Sequence, residues 1–463
     1  MLRARRRGQS ERRLGLRLWP EDGCDDQEGL LLMSAEKLPV VVIGAGPVGM
    51  SAAVQLLDRS IDVIVLEAAD DVGASQRDWG HVGLFSPWRY NVDKTAARYL
   101  EAAGWTAPPP EEMPTGADLY HRYLRPLAAL PRLRERIRVS RRVTGITRVG
   151  VDKTRTEGRG DLPFLVRTDA EDLLARAVVD ASGTWWTPNP LGAAGLPARG
   201  ETALAGRIHY GIPDVLGIHR ERYAGRSTMV VGAGHSAANS LLPLVELAKT
   251  SPGTTVYWAT RGADLSRVFG GGETDGLPAR GRLGSALRTL AETGAFTLMQ
   301  RFQIESLRET EGKLEVAGSR DGAPYVARGL DAIIAATGQR PDLSIEREMR
   351  LGIHSALECA EALGPLIDPS IHSCGSVRPH GAVELAHPEP DFYIVGSKSY
   401  GRAPTFLLAT GYEQARSVAA MIAGDRDAAL RVELDLPETG VCRSDLTEND
   451  AAGCCSPGKS ACC

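Results

Sequence analysis

Two places along the chain break the usual mixture of polar and apolar positions. Val40–Ile43 is an unbroken apolar run, and it leads through a glycine-rich turn into the small and apolar residues Met50–Leu57. The same order returns at Met229, in "MVVGAGHSAANS" followed by "LLPLVELAK". A short continuous apolar run closed by glycines predicts a parallel strand buried on both faces. Each run is followed by a helical pattern and then a second strand, Asp62–Leu66 in the first case and Thr254–Thr260 in the second. Strands alternating with helices predict an α/β fold with parallel sheets.

The turns carry the chemistry. Gly44, Gly46 and Gly49 have the G-x-G-x-x-G spacing, with Ala45 and Pro47 between them. The first glycine permits the tight turn, the second lets backbone amides approach a pyrophosphate, and the third lets helix and strand pack closely. The helix start supplies free N–H groups and a positive dipole end. The second strand ends in Glu67, placed to accept hydrogen bonds from an adenosine ribose, so this turn suits FAD or NAD. At the second turn Gly232, Gly234 and Ala237 repeat the spacing, with His235 and Ser236 between. Its second strand ends in Arg261, with Arg267 beyond. A guanidinium there suits the 2′-phosphate of NADPH. An acid in one unit and an arginine in the other imply two different nucleotides, with FAD resident and NADPH as electron donor.

With these segments the chain resembles the flavoproteins with two dinucleotide-binding domains, and within them the flavin-containing monooxygenase-like branch. The resemblance runs from about Leu38 to Gly424 and includes "DASGTWWTPNPLGAAGLP", "AIIAATGQRPD" and "DFYIVGSKSYGRAPTFLLATGYEQARSVAAMIAG". It implies an α/β protein whose FAD-binding Rossmann-like domain, residues 37–198 and 339–430, is interrupted by an NAD(P)H-binding Rossmann-like domain, residues 199–338. FAD would be held by Gly44, Ala45, Gly46, Pro47, Gly49 and Glu67, and NADPH by Gly232, Gly234, His235, Ser236, Ala237 and Arg261. Gly183 and the pair Thr337–Gly338, at the two strand ends where the chain leaves and re-enters the FAD domain, would also bind cofactor; Gly396, Pro404 and Thr405 would approach the isoalloxazine. There are departures. The branch's F-x-G-x-x-x-H fingerprint has its nearest match in "LAGRIHYG", where Leu204 replaces Phe and His209 stands one residue too close to Gly206. Gly396-Ser397 replaces the Gly-Asp of the reductase branches, and no cysteine occurs in the segment 71–91 after Glu67 or in the second domain to form a flavin-adjacent disulfide.

The aperiodic stretch Asp78–Asp93 offers Trp79, His81, Trp88 and Tyr90 as pocket walls and Asn91 as a hydrogen-bonding group; Trp88, Tyr90 and Asn91 are the candidate catalytic residues. His372, Cys374, His380 and His387 lack compact metal-ligand spacing, so this segment is expected to line the substrate mouth. Val268–Gly281 is expected to be a glycine-rich loop of the second domain.

Composition narrows the alternatives. The chain has 463 residues, 43% hydrophobic and 24% charged, with a net charge of −4. That balance gives no footprint for nucleic acid or an anionic membrane as main partner, and no apolar run approaches the about 20 residues that span a bilayer. Residues 1–36 lack the apolar core of a secretory signal and are expected to be a disordered extension. Residues 431–463 form a polar, cysteine-rich tail, expected to be disordered. Its pairs Cys454–Cys455 and Cys462–Cys463 offer soft thiolates for a metal or metalloid ion, similar to the C-terminal pairs of mercuric reductases and the thiol sites of arsenic-handling proteins. A reducing cytoplasm is expected; homodimerisation is left open. The leading expectation is an NADPH-using monooxygenase that acts on nitrogen, sulfur or trivalent arsenic through a C4a-peroxyflavin. The alternatives are an NADPH-dependent flavin reductase whose thiol or metal(loid) substrate is delivered by the tail, and a slow redox-sensing or metal-buffering flavoprotein.

Overall fold

The computed structural model describes residues 37–434 apart from 271, 273–277, 370–376 and 378. The N-terminal extension and the tail cysteines, Cys454, Cys455, Cys462 and Cys463, lie outside the described residues. Two five-stranded parallel sheets organise the chain. The first runs Phe392–Ile394, Ala177–Asp180, Val40–Ile43, Val63–Leu66, Ile137–Arg138. The second runs Thr297–Met299, Thr255–Ala259, Ser227–Val231, Ala332–Ala335, Ile208–Tyr210. The strands of the second come wholly between those of the first, so one unit is inserted in the other.

The central strands are apolar throughout because both faces are covered. Val40 and Val42 pack on the side of the helix Pro47–Asp58, whereas Val41 and Ile43 pack on a three-stranded antiparallel meander, Val143–Arg148, Phe164–Thr168 and Asp172–Ala175. The second unit repeats this plan. Val230 joins the core beneath the helix His235–Thr250, while Met229 and Val231 join the core of a second meander, Phe302–Thr310, Lys313–Arg320 and Ala323–Leu330. In each unit a strand, helix and strand are followed by the meander, and the strand after it returns beside the first.

The two chain segments that join the units pair with one another. Pro188 and Gln339 form an antiparallel bridge, Asn189 N donates to Gly338 O at 2.9 Å, and Thr337 Oγ1 donates to Asn189 O at 2.5 Å. A buried ion cluster ties the first meander to the last strand: Glu389, 1% exposed, accepts from Arg148 at 2.8 Å and from Arg159 at 3.1 Å. Removing one partner of such a buried pair costs about 3–5 kcal/mol, because the other charge is stranded.

Of the stretch 268–281, expected as a loop, residues 271 and 273–277 lie outside the described residues, and only its ends differ from the expectation. Its ends belong to the helices Ser266–Phe269 and Pro278–Glu292, and Arg280 and Gly281 are buried there. Among the described residues no helix is long and apolar enough to cross a membrane.

Candidate functional site

Both nucleotide turns are built alike, by pressing a glycine against the exit of the neighbouring strand. Gly44 has φ +94°, and a Cβ there would stand 2.7 Å from the Ala181 carbonyl oxygen. Gly232 has φ +138°, and a Cβ would stand 2.2 Å from the Ala336 carbonyl oxygen. The helices that follow start at Gly46 and Gly234, and neither start is capped by a side chain. Pro47 has no N–H, so the Val48 and Gly49 amides at the first start and the Ser236 amide at the second are the ones that suit an external acceptor. The space beside them is open: nothing lies within 4 Å of a Cβ built at Gly234, and only the Gln76 amide, at 3.9 Å, approaches one at Gly46. Such a cradle fits a pyrophosphate. Pro47, Gly49 and Ala237 are buried and seat the helix starts.

Around the first turn, Glu67 is buried and bridges loop to strand. One carboxylate oxygen accepts from Ala45 N at 2.8 Å and the other from Ala69 N at 2.9 Å. Each oxygen keeps a further lone pair for a ribose hydroxyl. Gly396 has φ +74° and donates from N to Gln414 Oε1 at 2.8 Å. Thr405 is buried and its hydroxyl has no partner. An orphaned buried hydroxyl among the described residues fits a polar ring edge such as that of a flavin. Gly183, with φ +74°, faces the Ser397 hydroxyl.

Around the second turn, Arg261 is exposed and donates to Ala193 O at 3.2 Å. It borders a cavity of about 600 Å³, whose walls include Arg199, Gln303 and Glu305. A second cavity of about 220 Å³ brings Ser236 and Gly338 together with Asp78, Trp185, Trp186 and Tyr210. Its wall is held by the Trp185 indole, which donates to Asp78 at 2.7 Å and packs 6.4 Å from the Trp79 ring. His235 meets Phe85 edge-on at 5.2 Å. Thr337 is turned to the interdomain crossing at Asn189 and away from this cavity wall.

Trp88 and Asn91 depart from the catalytic expectation. Trp88 is 1% exposed, in the core, with the Arg122 guanidinium 5.3 Å from its ring. Asn91 is fully buried and uses its amide on its own loop, donating to Ser86 O at 2.6 Å and Pro87 O at 3.0 Å and accepting from the Ser86 hydroxyl at 2.9 Å. Tyr90 lies half-buried beneath the Arg89 guanidinium, 4.7 Å away. Neighbouring Asp78, with Trp185 from the crossing, supplies the cavity wall in their place. His380 is buried 2.9 Å from the Gln414 amide. Among the described residues no three His, Cys, Asp or Glu side chains gather as a metal site.

Titration marks two further places. Burial pushes the His209 imidazole down to about 4 from an ordinary 6.5, with His219 and Arg222 adding to the effect. As pH falls through that window the unfolded chain takes up a proton that the folded chain refuses, so stability is lost. His209→Gln is expected to flatten the fall in urea midpoint between about pH 7 and 5, in part, since His387 is also pushed to about 4. An unchanged pH slope in the variant would show that His209 is not its source. Elsewhere, Lys398 joins Asp180 and Glu346 beneath the first turn; the lysine charge holds Asp180 down at about 2, whereas burial and the Asp180 charge push Glu346 up to about 9.

A profile of pyridine nucleotide-disulphide oxidoreductases matches residues 41–356. A ferredoxin–NADP reductase of Granulibacter bethesdensis is 27% identical over 280 residues, 60% of this chain and 63% of that relative. The chain thus matches less than two thirds of that relative's length. Among solved structures, a bacillithiol disulfide reductase from Bacillus cereus aligns with TM-score 0.59 at 19% identity, covering 84% of this chain and 99% of its own. An FAD-bound cadaverine monooxygenase of desferrioxamine biosynthesis from Erwinia amylovora aligns with TM-score 0.59 at 13% identity, covering 92% and 99%. A flavin monooxygenase variant from Stenotrophomonas maltophilia aligns with TM-score 0.54 at 20% identity, covering 84% and 98%. At these identities the solved structures share the fold. The profile match extends over more than half of the chain, which therefore belongs to the pyridine nucleotide-disulphide oxidoreductase family and is an FAD- and NAD(P)H-dependent enzyme.

Proposed function

We propose that this oxidoreductase is a monooxygenase: NADPH, dioxygen, a proton and a soft nucleophile give NADP⁺, water and the oxygenated nucleophile. The supporting observation is where thiols are missing. The sequence holds no cysteine between Cys24 and Cys359, so neither nucleotide turn has a neighbouring redox pair in sequence. Cys359 itself is buried, and burial pushes its thiol up to about 11, which keeps it protonated and unreactive. Bound flavin supplies a hydride acceptor that can hand its electron pair to dioxygen. The chain's own residues bind and orient: the Val48, Gly49 and Ser236 amides for the pyrophosphates, Arg261 for the 2′-phosphate, and Trp185 and Tyr210 as walls of the cavity beside Ser236. The nucleophile is a nitrogen, a sulfur or trivalent arsenic. The division into an FAD-binding part, 37–198 with 339–430, and an NADPH-binding part, 199–338, belongs to the same reading.

The named relative favours one other reading, in which electrons from NADPH go to an external acceptor such as a ferredoxin; the tail thiols, Cys454, Cys455, Cys462 and Cys463, could equally present a metal(loid) for reduction. Purified holoenzyme, NADPH and isotopically labelled dioxygen, tested with an amine, a thioether and arsenite, decide between them. Oxygenation requires one labelled atom per product and one product per NADPH. Absence of label from every product, with NADPH oxidised under nitrogen by a ferredoxin, would replace the oxygenase by a reductase. Truncation before Cys442 leaves an oxygenase active and abolishes tail-delivered reduction.

A further inference from the structure

Three ionisable side chains meet in the interior below the first turn. Lys398 Nζ lies 2.6 Å from Asp180 Oδ2, 2.7 Å from Glu346 Oε1 and 3.3 Å from Ser182 Oγ. The lysine is 1% exposed and both carboxyl side chains are 0% exposed. Burying such groups costs several kcal/mol per ion, and an apolar trio would carry no such cost. Their location shows what the arrangement holds in place.

Asp180 ends its strand, flanked by Ile43 on one side and Ile394 on the other. Its backbone oxygen accepts from Val395 N at 2.8 Å, and its free carboxylate oxygen accepts from Ser182 N at 2.8 Å. Lys398 lies in the 3₁₀ turn Gly396–Tyr400, which continues the neighbouring strand. The lysine therefore clips together two strand exits, Ala181–Gly183 and Gly396–Ser397. These exits form the floor of the first nucleotide turn: Ala181 O abuts Gly44, and a Cβ on Gly396 would touch Val48 of the following helix at 3.3 Å.

We propose that Lys398 is a positioning residue for the flavin: it fixes both strand exits against the first turn, and by neutralising Asp180 it sets the enzyme's relative affinity for reduced and oxidised FAD. The charges support this. Asp180 is ionised, Lys398 is protonated and Glu346 keeps its proton, so the cluster is neutral. Without the lysine charge, burial raises the Asp180 pKa, and at a pH above that raised value the carboxylate stands bare in a medium of low dielectric, where its field is weakly screened. Reduced flavin is the more negative form, so it is the form disfavoured.

Potentiometry on the holoprotein, followed by the flavin spectrum, tests this, with FAD titration of the apoprotein beside it. Measured at alkaline pH, where Asp180 stays ionised without its partner, Lys398→Gln should lower the relative affinity for reduced flavin tenfold or more, which for a two-electron couple lowers the midpoint potential by about 30 mV. D180N/K398Q, which removes both charges, should return the potential toward that of the parent. A parental potential in Lys398→Gln overturns the proposal. Equal shifts in single and double variants also overturn it, since packing alone would then account for them. Should Lys398→Gln lose FAD altogether, recovery of binding in the double variant supports the proposal and its failure to recover refutes it. The assay contains neither NADPH nor oxygen, so the outcome is independent of the oxygenase reading.

Discussion

A Gly44→Val variant is expected to emerge from purification colourless, with affinity for FAD reduced more than about 100-fold. Two costs combine. The position has φ +94°, where a β-branched residue is strained by about 1–3 kcal/mol. The new Cβ would also fall 2.7 Å from the Ala181 carbonyl, and that carbonyl cannot retreat because Ala181 N is bonded to Ile43 O at 2.9 Å. The turn must move instead, taking with it the amides that face the pyrophosphate. The flavin absorbance relative to protein reads the loss directly. A melting curve reads it again, since a ligand at about 1,000 times its Kd contributes about 4 kcal/mol of stability. The matched variant Gly232→Val, whose Cβ would fall 2.2 Å from Ala336 O, should stay yellow and fail to be reduced by NADPH. A yellow Gly44→Val protein with parental FAD affinity would remove the first turn from the flavin site.

Arg261→Ala is expected to raise KM for NADPH about 10- to 100-fold, with kcat and the parameters for NADH little changed. A hydrogen bond to a charged group contributes about 1.5–3 kcal/mol, and each 1.4 kcal/mol is tenfold. The Arg261 guanidinium is exposed and donates to the Ala193 carbonyl, beside the 600 Å³ cavity, so its charge is available to a phosphate at low cost. Loss confined to KM is the signature of binding that is equal in ground and transition state. Steady-state rates with the two dinucleotides check this; an unchanged NADPH-to-NADH preference would move the 2′-phosphate away from Arg261.

The parts that were legible in sequence are those in which the backbone itself does the binding. A phosphate turn needs two glycines two residues apart, a small residue three positions further on and an apolar run on either side, so both turns, both following helices and both second strands could be placed. The Lys398 cluster could not be placed. Its partners stand 218 and 52 residues away in sequence, and nothing local distinguishes Lys398 from a solvated lysine in a turn. Trp88 and Asn91 misled for a related reason. In an aperiodic loop, composition does not separate an inward side chain from one facing a pocket, and here the inward ones are the Trp and the Asn. Asp78 and Trp185, which do share a cavity wall, are joined only through the crossing between units, 107 residues apart.

That crossing has a mechanical consequence. Both strands of the connection are tied to one another by the Pro188–Gln339 bridge and by Asn189 with Thr337 and Gly338. Two independent tethers would let one unit drift against the other; a pair zipped together acts as a single pivot. Relative movement of the units is therefore reduced largely to rotation about one short axis. Gly338, in the wall of the cavity beside Ser236, lies next to that axis. A swing large enough to admit a nucleotide at the far end of the inserted unit would displace the cavity wall itself only slightly.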